Sequence, residues 1–98
     1  MTDSPVWLIT GASRGIGAAM ARQAHEHGCR VAIVARSDAA DALAISLGEG
    51  AIAVRADVSN SASARSAVDQ TIEAFGRLDV VVNNAGVHRG GRVTRLSE

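Results

Sequence analysis

The chain has 98 residues, 47% of them hydrophobic and 20% charged, with ten basic residues against ten acidic and a formal net charge of zero. That length holds one small domain, and the balanced charge gives no electrostatic ground for binding nucleic acid or an anionic membrane. High apolar content with low net charge excludes a disordered chain, and the single cysteine, Cys29, excludes an internal disulfide and a multi-cysteine metal site.

The start, Met1 to Pro5, has neither the basic residues nor the apolar core of a signal peptide. Val6–Thr10 (Val-Trp-Leu-Ile-Thr) reads as a first strand. A glycine-bearing turn follows, then a helical stretch in which Ile16, Met20, Gln23/Ala24 and His27 share one face and Gly28 marks the end. Val31–Ala35 reads as a second strand. A second helix is expected from about Asp38 to Leu47, with Ala40, Leu43, Ala44 and Leu47 on its stripe, Ser37 or Asp38 as cap and Gly48 as stop. Ala51–Arg55 reads as a third strand. A third helix, from about Asn60 to Phe75, carries Ala64, Val68, Ile72 and Phe75 as its stripe and stops at Gly76. Leu78–Val82 reads as a fourth strand.

The first, second and fourth strands are nearly continuous apolar runs, the pattern of strands covered on both faces in a parallel sheet. The element order β-α-β-α-β-α-β with right-handed crossovers gives an α/β fold, half of a doubly wound parallel sheet of Rossmann type with strand order 3-2-1-4. The first two helices then lie on one face and the third on the other. In that arrangement the fourth strand exposes an apolar edge, a site for pairing with a further strand or another chain. The polar, arginine-bearing end with His88, Arg89, Arg92 and Arg95 reads as a solvated loop. The final Ser97-Glu98 looks like the opening of another helix, so a truncated domain is expected. No apolar run is long enough to span a bilayer, and the cytoplasm is the expected location.

The first strand runs directly into Thr10-Gly11-Ala12-Ser13-Arg14-Gly15-Ile16-Gly17. Gly11 permits a sharp exit from the strand, Gly15 lets backbone approach a pyrophosphate, and Gly17 lets the helix pack closely on the sheet. Free N–H groups at the helix start then face the anion. The spacing is G-x-x-x-G-x-G rather than the G-x-G-x-x-G of the common fingerprint, but its place between a strand and a helix carries the reading. An ordinary glycine-rich loop is the competing reading.

At the end of the second strand an acidic residue, about 20 residues past the glycines, holds a ribose 2′-hydroxyl, whereas an arginine accommodates a 2′-phosphate. Ala35 occupies the acidic position and Arg36 follows it. Arg36 and Arg14 together can clamp a phosphate, with Ser13 and Ser37 adding hydroxyl donors. NADP(H) is therefore expected over NAD(H), unless Arg36 is only a solvated loop arginine. Asp38 reads better as a helix cap than as a ribose ligand.

Two further motifs stand in order after the glycine turn: Ala56-Asp57-Val58, and Asn83-Asn84-Ala85-Gly86 after the fourth strand. As a set these motifs resemble the short-chain dehydrogenase/reductase family over nearly the whole chain. The nearest likeness is to the β-ketoacyl-acyl-carrier-protein reductase type, which has the same Gly-Ala-Ser-Arg-Gly-Ile-Gly run. The resemblance implies that Gly11, Ser13, Arg14, Gly15, Ile16 and Gly17 contact the cofactor's phosphates and adenosine ribose. It implies Arg36 on the 2′-phosphate, Asp57 and the Val58 backbone at the adenine edge, and Asn84, Ala85 and Gly86 under the nicotinamide-side ribose. Asn83 is expected to tie the fourth strand to its neighbours. Taken singly, Asp57 and the asparagines also read as turn residues.

The family's catalytic Asn, Ser, Tyr and Lys lie beyond the Asn-Asn-Ala-Gly motif, and this chain has no Tyr and, read along the sequence, no Lys. No catalytic residue is assigned, and residues 1–98 are expected to be a partial NADP-binding domain that is inactive alone. The resemblance implies that the complete enzyme interconverts a small carbonyl and its alcohol by hydride transfer, as a homo-oligomer. The alternative is a naturally short, non-catalytic protein that binds nucleotide or interferes with a partner. His25 and His27, two residues apart on a helix, point to different faces and make a poor metal pair. Trp7 and Cys29 read as packing residues.

Overall fold

The computed structural model describes residues 4–11, 15–57 and 59–83, and the backbone of 92–95. Its elements run β1 (Val6–Thr10), α1 (Gly15–Glu26), β2 (Arg30–Ala35), α2 (Ala39–Leu47), β3 (Ala51–Arg55), α3 (Ser61–Phe75), β4 (Val80–Asn83) and β5 (Arg92–Arg95). The sheet order is β3-β2-β1-β4-β5. β1 pairs in parallel with β2 and with β4, and β2 pairs in parallel with β3. The parallel order 3-2-1-4 read from the sequence is therefore the order observed.

Successive residues of a strand point to opposite faces, and the core divides accordingly. On one face Ile9, Val31, Ile33, Val80 and Val82 pack with Ala18, Ala21 and Ala24 of α1 and with Ala40, Leu43 and Ala44 of α2. On the other, Leu8, Ala32, Val34 and Val54 pack with Ala67 of α3. Ile9 and Ile33 are wholly buried, each contributing about 1.5–3 kcal/mol relative to exposure. Trp7 and Cys29 sit half-buried against the first cluster, as packing residues do.

α2 buries the expected stripe, with Ala40, Leu43 and Ala44 inside. The other two helices are turned from the expected phase. α1 buries Gly17, Ala18, Ala21 and Ala24, while Ile16 is 72% exposed and His27 lies outside. α3 buries Ala67 and Thr71, while Ile72 is exposed and Val68 and Phe75 are half-buried. In both, small residues face the sheet, which lets the helix approach it closely. Thr71 enters the interior because its hydroxyl donates to the Ala67 carbonyl at 2.8 Å, leaving no orphan polar group.

α3 begins as the sequence indicates. Asn60 is its N-cap, and its side-chain Oδ1 accepts from the backbone N–H groups of Ala62 and Ser63 at 2.9 and 3.1 Å. Asp38 flanks α2 but makes no side-chain capping bond. Instead the Ser37 hydroxyl accepts from Ala39 N–H at 3.3 Å.

The fourth strand does not leave its edge open. β5 pairs with β4 antiparallel, Val80 opposite Arg95 and Asn83 opposite Arg92. Arg92 and Arg95 thus belong to a strand rather than to the solvated loop expected of them. The physical reason is that the free edge of β4 would leave a row of backbone groups unpaired, and the antiparallel backbone of β5 supplies their partners. His88 and Arg89, and the expected helix opening at Ser97-Glu98, lie outside the described residues.

Candidate functional site

The carboxyl ends of β1 to β4 all reach one edge of the sheet, because parallel strands share a direction. β1 lies between β2 and β4, and the chain leaves it in opposite senses on its two sides. That reversal opens a crevice at the strand ends, the general ligand position of such sheets.

At the exit of β1, Gly11 has φ +62° and Gly15 has φ +67°. An L side chain rarely adopts either. Beside Gly15 a Cβ would meet nothing within 4 Å, so conformation rather than crowding requires glycine there and the backbone faces open space. The first turn of α1 has no acidic residue to oppose an anion. Gly17 is buried in that helix and lets it lie close to the sheet. Ser13 and Arg14, between the two left-handed glycines, lie outside the described residues.

Backbone hydrogen bonds fix how the strand exits sit together. Gly11 N–H donates to the Val34 carbonyl at 2.8 Å, and Ala56 N–H donates to the Ala35 carbonyl at 3.0 Å. Arg36 follows directly, between the glycine turn and the exit of β3, and it is exposed, as is Ser37. Thr10, buried at the end of β1, donates its hydroxyl to the Val82 carbonyl at 3.3 Å and to Asn83 Oδ1 at 3.2 Å. The side-chain tie expected of Asn83 is this one.

Asp57 follows β3 at the same edge. Its Oδ1 accepts from the Ser59 hydroxyl at 2.6 Å and from Ser59 N–H at 3.1 Å, and its own N–H donates to the Ser63 hydroxyl at 3.0 Å. The Ser59 hydroxyl, then Ser59 N–H, hold the Asp57 carboxyl below the usual carboxylate range; slight desolvation opposes them and the positive charge of Arg36 adds to them. The structure thus brings Gly11, Gly15, Arg36 and Asp57 to one edge. Val58, Asn84, Ala85 and Gly86 lie outside the described residues.

The site reading from sequence missed Ser59, Ser63 and Thr10. Ser59 stands in the Asp-x-Ser pattern of side-chain-to-backbone turns, so a signal was present for it; Ser63, six residues beyond Asp57, carries none. Thr10 was visible only as the polar last residue of an apolar strand.

The opposite, amino edge of the sheet also has a concavity, lined by His25, Cys29, Arg30, Glu49 and Phe75 among others. Two of its polar side chains are engaged within the chain: a ring nitrogen of His25 bonds the Glu49 carbonyl at 2.8 Å, and the Arg30 guanidinium lies 5.7 Å from the centre of the Phe75 ring. Among the described residues no group of three or more His, Cys, Asp or Glu is placed to hold a metal ion, and no helix is long and apolar enough to cross a membrane.

Residues 5–98 match the family model for short chain dehydrogenases. An uncharacterised oxidoreductase of Methylorubrum extorquens is 41% identical over 101 residues, covering 98% of this chain and 41% of the relative. The oxidoreductase UcpA of Salmonella typhimurium is 45% identical over 94 residues, covering 93% and 36%. Among solved structures, the 3-ketoacyl-(acyl-carrier-protein) reductase of Brucella melitensis in complex with NADH superposes with a TM-score of 0.83 at 40% identity, covering 89% of this chain and 36% of that one. A short chain dehydrogenase/reductase of Burkholderia phymatum in complex with NAD superposes with a TM-score of 0.82 at 36% identity, covering 88% and 32%. The chain spans about two fifths of the length of these curated relatives. With its motifs in order, its strand order and this match along almost its whole length, the chain belongs to the short-chain dehydrogenase family.

Proposed function

We propose that this chain is the cofactor-binding part of an NADP(H)-dependent oxidoreductase that interconverts a carbonyl and an alcohol by hydride transfer. The observation that carries the reading is the convergence of Gly11, Gly15, Arg36 and Asp57 on the carboxyl edge at the strand-order reversal. The donor set fits a dinucleotide. An open left-handed glycine backbone at a helix start without acidic residues suits a pyrophosphate, a guanidinium suits a 2′-phosphate, and a carboxylate kept ionised suits an exocyclic amine.

In this reading Gly11, Ser13, Arg14, Gly15, Ile16 and Gly17 hold the phosphates and adenosine ribose. Arg36 and Ser37 meet the 2′-phosphate. Asp57 and the Val58 backbone meet adenine, and Asn84, Ala85 and Gly86 lie under the nicotinamide-side ribose. Bound there, the dinucleotide supplies the hydride equivalent. No proton-transfer role is given to any residue of this chain, which has no Tyr and, read along the sequence, no Lys.

The structural neighbours were solved with NADH and NAD, so support for the 2′-phosphate preference comes from Arg36. Titration of the protein with NADPH and NADH tests it. Tighter NADPH binding is expected, with Arg36→Asp costing about tenfold or more for NADPH, the scale of one charge-assisted contact, and little for NADH. Equal affinity for both cofactors, or no loss in Arg36→Asp, overturns the preference. Failure to bind either dinucleotide in a folded sample overturns the function.

A further inference from the structure

We propose that Ser59 is a positioning residue for cofactor recognition: it holds the Asp57 carboxylate in the orientation that reads the adenine amine. The proposal rests on the dinucleotide reading above and extends it to a residue that the motifs do not mark.

The inference comes from how Asp57 is held. The side chain is exposed, and an exposed Asp samples several rotamers, so fixing it on binding costs affinity. Here the entrance to α3 fixes both its backbone and its carboxylate in advance. Ser63 accepts from the Asp57 backbone N–H at 3.0 Å, and Ser59 donates both its hydroxyl and its N–H to the carboxylate, at 2.6 and 3.1 Å. Both Ser59 bonds end on Oδ1. Among the described residues no hydrogen bond ends on Oδ2, which leaves that oxygen to accept from an N–H of a ligand. Asn60 anchors the arrangement, because its capping bonds to Ala62 and Ser63 set the start of the helix that carries Ser63.

Hypoxanthine provides the discriminating probe, since it replaces the exocyclic amine of adenine with a carbonyl oxygen. A positioned carboxylate accepts from the amine and repels the oxygen. The protein is titrated calorimetrically with NADP(H) and with its hypoxanthine counterpart, as wild type, Ser59→Ala and Ser59→Thr. Wild type is expected to prefer the adenine form. Ser59→Ala is expected to bind the adenine form about threefold to tenfold more weakly, the cost of ordering one side chain at binding, with little change for the hypoxanthine form. Ser59→Thr, which keeps a hydroxyl, is expected to restore the preference, and the melting temperature of each variant is to be measured alongside. An unchanged preference in Ser59→Ala, or equal weakening of both ligands, overturns the role of Ser59 while leaving cofactor binding intact. Wild type that binds both forms equally overturns adenine reading by Asp57 and this proposal with it. Wild type that binds neither overturns the dinucleotide reading itself.

Discussion

Asp79 joins the start of β1 to the approach to β4, and removing its carboxylate should destabilise the sheet that presents the site. Val6 N–H donates to Asp79 Oδ2 at 2.8 Å, and Asp79 N–H donates back to the Val6 carbonyl at 2.9 Å. Arg77 closes on the same carboxylate through Nε at 2.9 Å and Nη2 at 2.8 Å. Asp79→Ala leaves the Val6 N–H without its acceptor, next to a side chain that is 0% exposed. An orphaned buried donor costs about 1–3 kcal/mol. The ion pair, with side chains 42% and 30% exposed, adds at most about 1 kcal/mol after solvent screening. The expected loss is about 1–4 kcal/mol, a substantial share of the roughly 5–15 kcal/mol that holds a domain together. In urea unfolding the midpoint should fall with no change in slope. Arg77→Ala removes the partly exposed pair but leaves the Val6 hydrogen bond in place, and should cost about 1 kcal/mol or less. Asp79→Asn keeps an oxygen for Val6 and should resemble it. A loss below about 0.5 kcal/mol in Asp79→Ala, or equal losses in Asp79→Ala and Arg77→Ala, would refute the hydrogen-bond argument.

Two further outcomes follow from the α3 entrance. Asn60→Ala removes the acceptor for Ala62 and Ser63 N–H and should cost about 1 kcal/mol in the same unfolding assay, whereas Asn60→Asp should cost little; equal losses would count against capping. The folded-state pKa of Asp57 is depressed, so its stabilising contribution is fully present above the unfolded carboxyl value of about 4 and is lost as pH falls through the folded value. Carboxyl chemical shifts followed by NMR should show Asp57 titrating below the ordinary aspartate value and moving up in Ser59→Ala, and an unmoved titration would exclude Ser59 as the principal cause.

Much of the fold is legible locally. The β-branched runs of β1, β2 and β3, the Asn60 cap and the glycine stops at Gly28, Gly48 and Gly76 all lie within a few residues of the structure they specify. The strand order follows as well, because crossover handedness leaves few topologies for this element sequence. Gly11 and Gly15 were readable as glycines of a tight turn, since a left-handed backbone is a property of the residue itself.

What the sequence did not determine is which side of each element meets its neighbour. Periodicity defines a stripe on α1 and α3 but not its rotation against the sheet. Close packing placed Ala18, Ala21 and Ala67 inward and left Ile16 and Ile72 exposed. The same holds for long-range pairing: Arg92–Arg95 has no strong local strand signal and becomes β5 because the edge of β4 offers it hydrogen bonds. At the site, the residue types were readable one by one. Their meeting was not, because Arg36 comes near Asp57 only when β2 and β3 align and Ala56 N–H reaches the Ala35 carbonyl. Sequence determined the chemistry available at each strand end; tertiary register decided which of those groups share one edge, since contact between residues far apart in the chain depends on packing that no local pattern encodes.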